Sequence, residues 1–217
     1  KEYKTRLIPS DTSVHVLNCL FISITSGSDG SPLYCRSTTY LLVESTSFFS
    51  CCTSLDDGGA IHFYNSNGQC VLHEVCGYNC YSTYTGTWSV GQFAYIYVKN
   101  DASSKNYANY TSVTRCVRKN SDSYAPPWLE NGIIFCPSIN ISMNECYFRS
   151  GIYCSPYSDS SSVTCSLSYS SFTDNIANGY TCIRLYTTGA KYEIKSCNII
   201  RNTQGTLGSE GTFNTWG

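Results

Sequence analysis

The sequence predicts an all-β fold, a right-handed parallel β-helix of about seven coils that spans residues 1–217 as a single solenoid. Three observations support this prediction: an ordered column of apolar, small and aromatic residues that recurs seven times, a glycine-led second segment in each unit, and 14 cysteines in a chain of 217 residues. No stretch keeps a 3.6-residue period between capping residues, so helices are not expected.

Each repeat is anchored on one residue that is usually aromatic or aliphatic. A small residue stands two positions before the anchor, and apolar residues stand five and seven positions before it, with polar residues between them. This pattern indicates a strand with a two-residue period followed by a corner. The predicted anchors are Phe21, Phe48, Tyr78, Arg118, Phe148, Phe172 and Ile199. The 40-residue spacing and the charged anchor at Arg118 predict an irregular coil around residues 100–132.

The second segment of each unit begins with a glycine, which suits a corner that requires a positive φ or a close backbone approach. These glycines are Gly30, Gly59, Gly91, Gly132, Gly151, Gly179 and Gly211. A β-sandwich of short antiparallel strands is the alternative fold, because it also shows alternation and glycine turns. It does not explain why the same ordered column recurs.

Stacked coils bring equivalent residues into ladders. The predicted ladders are Phe21, Phe48 and Tyr78; Cys76, Cys116 and Cys146; and Cys136, Cys154 and Cys182. Asn175 and Asn202 both stand three residues after their anchors, so their side chains are expected to hydrogen-bond from one coil to the next.

The cysteine content predicts an oxidising compartment and disulfide bridges whose connectivity stays open. Zinc is disfavoured because paired CxxC motifs are lacking. The candidate bridging residues are Cys19, Cys35, Cys51, Cys52, Cys70, Cys76, Cys80, Cys116, Cys136, Cys146, Cys154, Cys165, Cys182 and Cys197. Two N-glycosylation sequons, at Asn109 and Asn140, fit the same secretory route. We therefore expect an extracellular or cell-surface protein, and a chain that is part of a longer one because it begins at Lys1 without an initiator Met.

Charge excludes two classes of partner. Charged residues make up 13% of the chain and the net charge is −1, which speaks against a nucleic-acid footprint and a polybasic membrane patch. A membrane association is expected only through an anchor outside this segment, because no apolar run is long enough to span a bilayer.

Two short motifs resemble a known repeat family. Gly58-Gly59-Ala60-Ile61 matches GGAI, and Phe172-Thr173-Asp174-Asn175 matches FxxN. These tetrapeptides mark the repeats of chlamydial polymorphic outer membrane proteins, and the Cys-x-Phe pattern and Ser/Tyr/Cys-rich composition look more like the Cys-rich trichomonad surface proteins that carry related repeats. The resemblance implies a β-helix in a surface-exposed protein with adhesive or structural roles, and it supplies no catalytic residues.

Many β-helices act on polysaccharides, and such enzymes use paired carboxylates or acidic metal ligands on one face. Glu44 and Glu74 share the position four before the anchor, so they are expected side by side as surface residues, with a calcium or sugar contact or a catalytic pair as alternatives. Further acids precede the second-segment glycines, where a turn role is expected and a cation site is the alternative. These acids are Asp29, Asp56, Asp57 and Glu130. Calcium is disfavoured because no EF-hand or nonapeptide pattern occurs.

Histidines and tyrosines complete the candidate residues. His73 falls in an apolar column and is expected to be buried, whereas His62 is expected at the surface, and His15 is the third histidine. Of the 19 tyrosines, some are expected to face outward and bind proteins or sugars, the alternative being that they fill ladders. The outward candidates are Tyr81 and Tyr84 near Trp88, and Tyr107 and Tyr110.

Taken together, these features predict a non-enzymatic, structural or adhesive β-helix, with end-to-end assembly into fibres expected because no polar capping unit closes either end. A polysaccharide lyase or glycosidase and a glycan-binding module are the alternatives. The expected partners are a second copy of the chain and a host surface protein or glycan. No cofactor is expected other than an N-linked glycan.

Overall fold

All neighbouring strands of the described residues pair in parallel, and they stack into a β-helix. The computed structural model describes residues 1–27, 31–54, 57–83, 90–116, 123–177, 182–205 and 213–216, without the side chain of Trp216. No helix occurs in these ranges. The predicted parallel β-helix is confirmed, and the antiparallel sandwich is wrong.

Three long sheets form the walls of the solenoid. Sheet I contains β2 (Ser13–Leu17), β6 (Tyr40–Glu44), β10 (Gln69–His73), β14 (Lys105–Asn109), β17 (Ile133–Pro137), β21 (Val163–Ser168) and β25 (Lys191–Lys195). Sheet II contains β1 (Glu2–Tyr3), β3 (Leu20–Ile22), β7 (Ser47–Phe49), β11 (Cys76–Tyr78), β15 (Ser112–Thr114), β18 (Asn140–Ser142), β22 (Ser171–Thr173) and β26 (Asn198–Ile200). Sheet III contains β5 (Leu33–Cys35), β9 (Ile61–Tyr64), β13 (Ala94–Tyr97), β16 (Pro127–Glu130), β20 (Ile152–Ser155), β24 (Ile183–Tyr186) and β28 (Phe213–Trp216).

Two short sheets lie between sheets II and III. One contains β4 (Thr25–Ser26), β8 (Cys52–Thr53) and β12 (Tyr81–Ser82), and the other β19 (Glu145–Cys146), β23 (Ile176–Ala177) and β27 (Thr203–Gln204). The chain passes through sheets I, II and III in the same order in every coil. Seven strands in each of sheets I and III make seven coils, which corresponds to about six full turns between the first and the last.

Left-handed backbone at two columns of residues turns the chain on either side of sheet II. Before the sheet these residues are Asn18, Ser45, Glu74, Tyr110, Ser138, Tyr169 and Ser196, and after it they are Ser23, Ser50, Asn79, Arg115, Met143, Asp174 and Arg201. Their φ angles lie between 44° and 56°. Most are Ser, Asn or Asp, whose short polar side chains suit turns, and Asn and Asp tolerate this conformation best. The glycine corner expected before sheet III occurs at Gly91, which has a positive φ. Gly132 also has a positive φ, but it follows β16 of sheet III and precedes β17 of sheet I, so its predicted place is wrong. Gly30, Gly179 and Gly211 lie outside the described residues.

Between the two corners, the middle residue of each sheet II strand points into the core. In coil order these residues are Phe21, Phe48, Gly77, Val113, Ile141, Phe172 and Ile199. The predicted anchors are therefore confirmed in the first two and last two coils. They are wrong in the three coils between, where Gly77 replaces Tyr78, Ile141 replaces Phe148, and Val113 takes the place assigned to Arg118, which lies outside the described residues.

Gly77 explains the first of these errors. A Cβ atom on Gly77 would stand 2.3 Å from Cε2 of Phe93, so the Phe93 ring fills the space that an anchor side chain occupies in other coils. Phe93 packs edge-on against Phe48 with ring centroids 6.0 Å apart, while Phe21 and Phe48 stack at 4.6 Å. Tyr78 consequently faces outward, and the predicted ladder of three aromatic rings ends at Phe48.

With the anchors corrected, the predicted spacing holds in every coil. The inward residues seven positions before the anchor are Val14, Leu41, Cys70, Asn106, Ile134, Cys165 and Tyr192. Those five positions before it are Val16, Val43, Leu72, Ala108, Cys136, Leu167 and Ile194. The columns of the repeat are thus confirmed, and the error in coil three is a shift of one residue that exchanges Leu72 for His73.

An asparagine ladder runs along the corner that follows sheet II. Asn144 Nδ2 donates to Asn175 Oδ1 at 3.0 Å, and Asn175 Nδ2 donates to Asn202 Oδ1 at 2.9 Å. The same oxygens accept the backbone N–H groups of Asn144 and Asn175, and each amide also donates to a carbonyl of the preceding coil. The predicted bond between Asn175 and Asn202 is confirmed, and Asn144 extends it by one coil.

Cysteines continue this column in the earlier coils. Cys116 N donates to Asn144 Oδ1 at 2.8 Å, and Cys80 N donates to Cys116 Sγ at 3.5 Å, which repeats the asparagine contact with sulfur. Each thiol donates to the carbonyl two residues earlier, at 3.4 Å for both Cys80 and Cys116. Burial raises the pKa of the Cys80 thiol, which keeps it a protonated donor.

All 14 cysteines are free thiols, and ten of them are buried, so the expected bridges are not formed in this structure. The predicted cysteine ladders are wrong. Cys76 lies outside, level with Ser47 and Ser112, and Cys136 and Cys154 belong to different sheets.

The two ends of the solenoid differ. At the first coil, β1 pairs with β3, and Leu7 bridges to Leu33, so residues 1–8 cover two of the three sheets. In the last coil, the inward side chains of Ile194 and Ile199 are 38% and 40% exposed. The expectation that neither end is covered is therefore wrong for the first coil.

We predict that Asn175→Ala lowers the free energy of unfolding by about 3 kcal/mol or more, because it leaves buried donors of Asn144 and a carbonyl of coil five without partners. Asn202→Ala, at the half-buried end of the same ladder, is the matched control and should cost less. Urea denaturation of the three proteins measures this. Equal losses for both variants would contradict a ladder that strengthens towards its centre.

Candidate functional site

The outer side of sheet III carries an aromatic or charged side chain at almost every coil. Because side chains alternate along a strand, two columns of this sheet point away from the core. One column contains Tyr34, His62, Tyr95, Trp128, Tyr153 and Arg184. The other contains Arg36, Tyr64, Tyr97, Glu130, Ser155 and Tyr186. We call these two columns the aromatic face.

A second hydrophobic cluster covers part of the aromatic face. Val90, Tyr124 and Ala125 pack on Trp128 and Tyr153, separate from the core of the solenoid. The sequence predicts Phe148 as a core anchor, but its ring stacks on Tyr124 in this second cluster, with centroids 4.7 Å apart. The first column is therefore mostly buried, whereas the second column forms an accessible rim.

Rings of the aromatic face stack on one another along the axis of the rod. Tyr64 and Tyr97 stack at 4.6 Å with an interplanar angle of 20°, and Trp128 and Tyr153 stack at 3.6 Å with an angle of 13°. Stacking occupies the ring faces and leaves the ring edges and hydroxyl groups pointing outward. Among the described rings, no stacked pair joins coil three to coil four, and in the rim Glu130 follows Tyr97.

Glu130 is the carboxylate at this break in the stack. Its Oε1 accepts a hydrogen bond from Trp128 Nε1 at 2.7 Å, and its backbone oxygen accepts from Val98 N and Asn106 Nδ2. Burial raises the pKa of the Glu130 carboxyl, and the Trp128 hydrogen bond offsets this only in part. Within the described ranges, no lysine, arginine or histidine forms an ion pair with Glu130.

Two neighbouring tyrosines respond to the same environment. Burial is the main cause that raises the pKa of Tyr95 and of Tyr153, and the charge of Glu130 is the next cause in both cases. Asp57 adds to the effect on Tyr95. Shifted pKa values that share causes at one location are typical of functional sites, although structural networks produce them too.

The sequence expectation for Glu130 is wrong, because this residue ends strand β16 rather than forming a turn. Asp57 does serve a loop, since its Oδ1 accepts a hydrogen bond from Val90 N at 2.9 Å. Asp29 and Asp56 lie outside the described residues.

His62 also departs from expectation, because it is 2% exposed rather than at the surface. Its ring lies between those of Tyr34 and Tyr95, with centroids 4.8 and 5.4 Å away, and its Nδ1 stands 3.2 Å from the backbone oxygen of Asp57. The loop and the neighbouring rings thus enclose a histidine that alternation alone places outside.

Glu44 and Glu74 do not lie side by side as predicted. Glu44 is level with His73 in sheet I, whereas Glu74 occupies the left-handed corner and accepts a hydrogen bond from Ser45 Oγ at 2.7 Å. Glu44 instead pairs with His15 at 2.9 Å. His73 is half-buried rather than buried, with its ring edge-on to Tyr110.

The tyrosines singled out from sequence lie elsewhere. Tyr81 and Tyr107 are half-buried, Tyr110 is exposed at a corner, and Tyr84 and Trp88 lie outside the described residues. The sequence signal for the aromatic face was present in the glycine-led segments, where Tyr, His or Trp alternates with apolar residues. The repeat spacing alone does not identify this face, because it explains the same residues as markers of the coil.

Comparison with family models, with curated proteins and with solved structures returned no match. Within the described residues, no group of three or more His, Cys, Asp or Glu side chains is arranged to hold a metal ion. The same residues include no helix with the length and apolar character needed to cross a membrane.

The two sequons differ in accessibility, which predicts different use. Asn140 is exposed on the outer side of sheet II, whereas Asn109 is half-buried and its Oδ1 is enclosed. We predict that expression in a eukaryotic secretory pathway attaches a glycan to Asn140 and leaves Asn109 unmodified. Intact-mass measurement with Asn140→Gln and Asn109→Gln tests this, and loss of the glycan only in the Asn109 variant would contradict it.

Glu130 predicts a pH-dependent effect on stability. Because its folded pKa is raised, the folded state binds the proton more tightly than the unfolded state, and stability from this group falls as pH rises through the shifted pKa. We therefore expect Glu130→Gln to unfold at a higher urea concentration than the wild type at pH 7, with the difference closing towards pH 4. Glu193→Gln, at an exposed acid of sheet I, is the control. A difference that grows on acidification would contradict the assignment.

Proposed function

We propose that this protein is a non-catalytic, extracellular or cell-surface adhesive scaffold whose binding surface is the aromatic face. The observation that carries this proposal is the rim of Arg36, Tyr64, Tyr97, Glu130 and Tyr186, which offers a charged or aromatic group in five of the first six coils. The resemblance to surface-protein repeats supports the same role.

The rim suits an extended partner that lies along the rod. Equivalent side chains recur about every 4.8 Å, and stacking has already restricted the rotamers of Tyr64 and Tyr97. Little side-chain entropy is therefore lost when their edges and hydroxyl groups make contacts. Tyrosine is enriched in protein interfaces for this combination of area and polarity. A surface protein of another cell is the partner we favour, with a glycan as the alternative.

End-to-end assembly is a second part of the proposal. The exposed inward side chains of the last coil favour an added strand layer, whereas at the first coil residues 1–8 already pair with sheets II and III. A fibre that adds strands to sheets II and III at this end must therefore displace these residues.

The adhesive role is tested by removing the rim tyrosines. We expect the triple variant Tyr64→Ser, Tyr97→Ser and Tyr186→Ser to lose at least tenfold in adhesion to cells or immobilised cell-surface protein, because aromatic interface residues carry most of the binding energy. The matched control replaces three exposed tyrosines outside the aromatic face with serine. These are Tyr40, Tyr110 and Tyr169. Two of them, Tyr110 and Tyr169, stand at the left-handed corner before sheet II, where other coils carry serine.

Equal adhesion of both triple variants, with unchanged thermal unfolding, would overturn the aromatic face as the adhesive surface. Loss in the control alone would move the binding surface to sheet I and its corner.

A glycan-active enzyme is the second candidate, and Glu130 is the observation that favours it. A half-buried carboxyl among aromatic rings with a raised pKa has the character of a general acid, and Asp57 is a second acid that acts on the same tyrosine. Turnover on a panel of neutral and acidic glycans, lost in Glu130→Gln and kept in Glu74→Gln, would establish this alternative. Absence of turnover across the panel counts against it.

A further inference from the structure

We propose that the break in the aromatic face between Tyr97 and Glu130 is a binding site for an organic cation, an ammonium or guanidinium group presented by the adhesive partner. This inference rests on the proposed function and gives its surface a specific ligand chemistry. It stands on three observations about the rim, each independent of the partner.

The first observation is the half-buried carboxylate of Glu130, with which no lysine, arginine or histidine of the described residues forms an ion pair. Trp128 Nε1 donates to Oε1 of Glu130, whereas Asn106 Nδ2 and Val98 N donate to its backbone oxygen, so no second hydrogen bond to the carboxylate occurs among the described residues. Withdrawing a carboxylate from water costs free energy unless an opposite charge or several hydrogen bonds replace the water. One indole N–H replaces only part of it, so Oε2 is available to a ligand.

The second observation is the free face of Tyr97. One face of this ring stacks on Tyr64 in coil two at 4.6 Å. The opposite face is directed along the axis towards coil four, where the rim places Glu130 at the equivalent position. A ring face carries negative electrostatic potential and attracts cations. Tyr97 and Glu130 therefore present two negative groups at neighbouring positions of the rim, about one coil spacing apart, and a cation at the outer edge of the rim can approach both.

The third observation is that the chain's own arginines occupy corresponding positions elsewhere on this face. The Arg36 guanidinium lies 5.4 Å from the ring centroid of Tyr64, and the Arg184 guanidinium lies 5.4 Å from that of Tyr186. Arg149 lies over Tyr124, Trp128 and Tyr153 at 5.1 to 5.8 Å. The face thus accepts guanidinium groups at several coils, and no such contact of the described residues involves the ring of Tyr97.

The carboxylate and the ring together select for charge and size. A neutral group of the same shape gains the contact with Tyr97 but leaves Glu130 unpaired, whereas an inorganic cation pairs with Glu130 but stays hydrated. A lysine or arginine side chain from a protein satisfies both, as does a quaternary ammonium headgroup, although the latter cannot donate a hydrogen bond to Oε2. We favour arginine or lysine because a donor can bond to the available oxygen.

The experiment titrates the 217-residue protein with n-butylguanidinium, n-butylammonium and tetramethylammonium chloride, with 3,3-dimethylbutanol as the neutral probe. The indole N–H signal of Trp128, which adjoins the carboxylate, reports binding by NMR, and Trp88→Phe and Trp216→Phe assign it. We expect saturable binding of the two donor cations in the millimolar range, weaker binding of tetramethylammonium and none of the alcohol.

Three variants separate binding from structure. Glu130→Gln keeps an oxygen that can accept from Trp128 Nε1 and should weaken the donor cations at least tenfold, whereas Tyr97→Leu should weaken them severalfold and Tyr97→Phe should preserve them. Glu74→Gln, an acid outside the face, is the control and should bind like the wild type. No saturable shift with any cation, equal response to the alcohol, or undiminished binding by Glu130→Gln would each overturn the site.

The outcome is distinguishable from failure of the adhesive role. If cations bind and Glu130→Gln removes the binding while adhesion persists, the cation site does not serve the partner and this inference fails in its functional part alone. If the rim triple variant loses adhesion while no cation binds, the adhesive face stands and the cation site is wrong. Preference for tetramethylammonium over both donor cations would identify a quaternary ammonium headgroup and overturn the assignment to lysine or arginine.

Discussion

The left-handed corners on either side of sheet II are the constraint on which the rest of the structure depends. Because both columns hold φ near 50° in all seven coils, each of the seven sheet II strands between them has three residues, and its middle residue must point inward. The inward positions of sheet I follow at fixed offsets. Equivalent residues then stand about one coil spacing apart, and ladders of rings, amides and thiols form from whatever residues the sequence supplies there.

Local periodicity correctly predicts the anchor of a coil whose own sheet II residue fills the core. It fails where a side chain from another segment fills that space. Phe21, Phe48, Phe172 and Ile199 are large and fill their own coils, so the spacing identified them. Gly77 has no side chain, and Phe93 of the following segment supplies the missing volume. Such compensation between distant segments leaves no periodic signal. The periodicity therefore predicts a core position for Tyr78, the residue next to Gly77, although Tyr78 faces outward.

The candidate site was less predictable than the fold for a related reason. Alternation identifies the side of a strand that faces outward, but it does not show what covers that side. Alternation correctly predicts that the His62 side chain points away from the core, yet neighbouring rings and the Asp57 loop bury it. Glu130 stands next to Asn131 and Gly132, which resembles a turn, whereas the strand extends to include it. Its significance depends on Tyr97, one coil away, which no local motif connects to it.

Stacking also decides where on this rod binding chemistry can occur. A ladder of rings is stable because each ring covers the faces of its neighbours, and the same coverage withholds those faces from a ligand. Binding therefore concentrates where the column changes residue type. At the step from Tyr97 to Glu130 the stack ends, so one face of the Tyr97 ring has no ring partner among the described residues, and the half-buried Glu130 carboxylate has no ion pair with a described cation. Such an arrangement destabilises the free protein, and a bound cation would offset that cost, so the least favourable coil of the face is the one best suited to recognition.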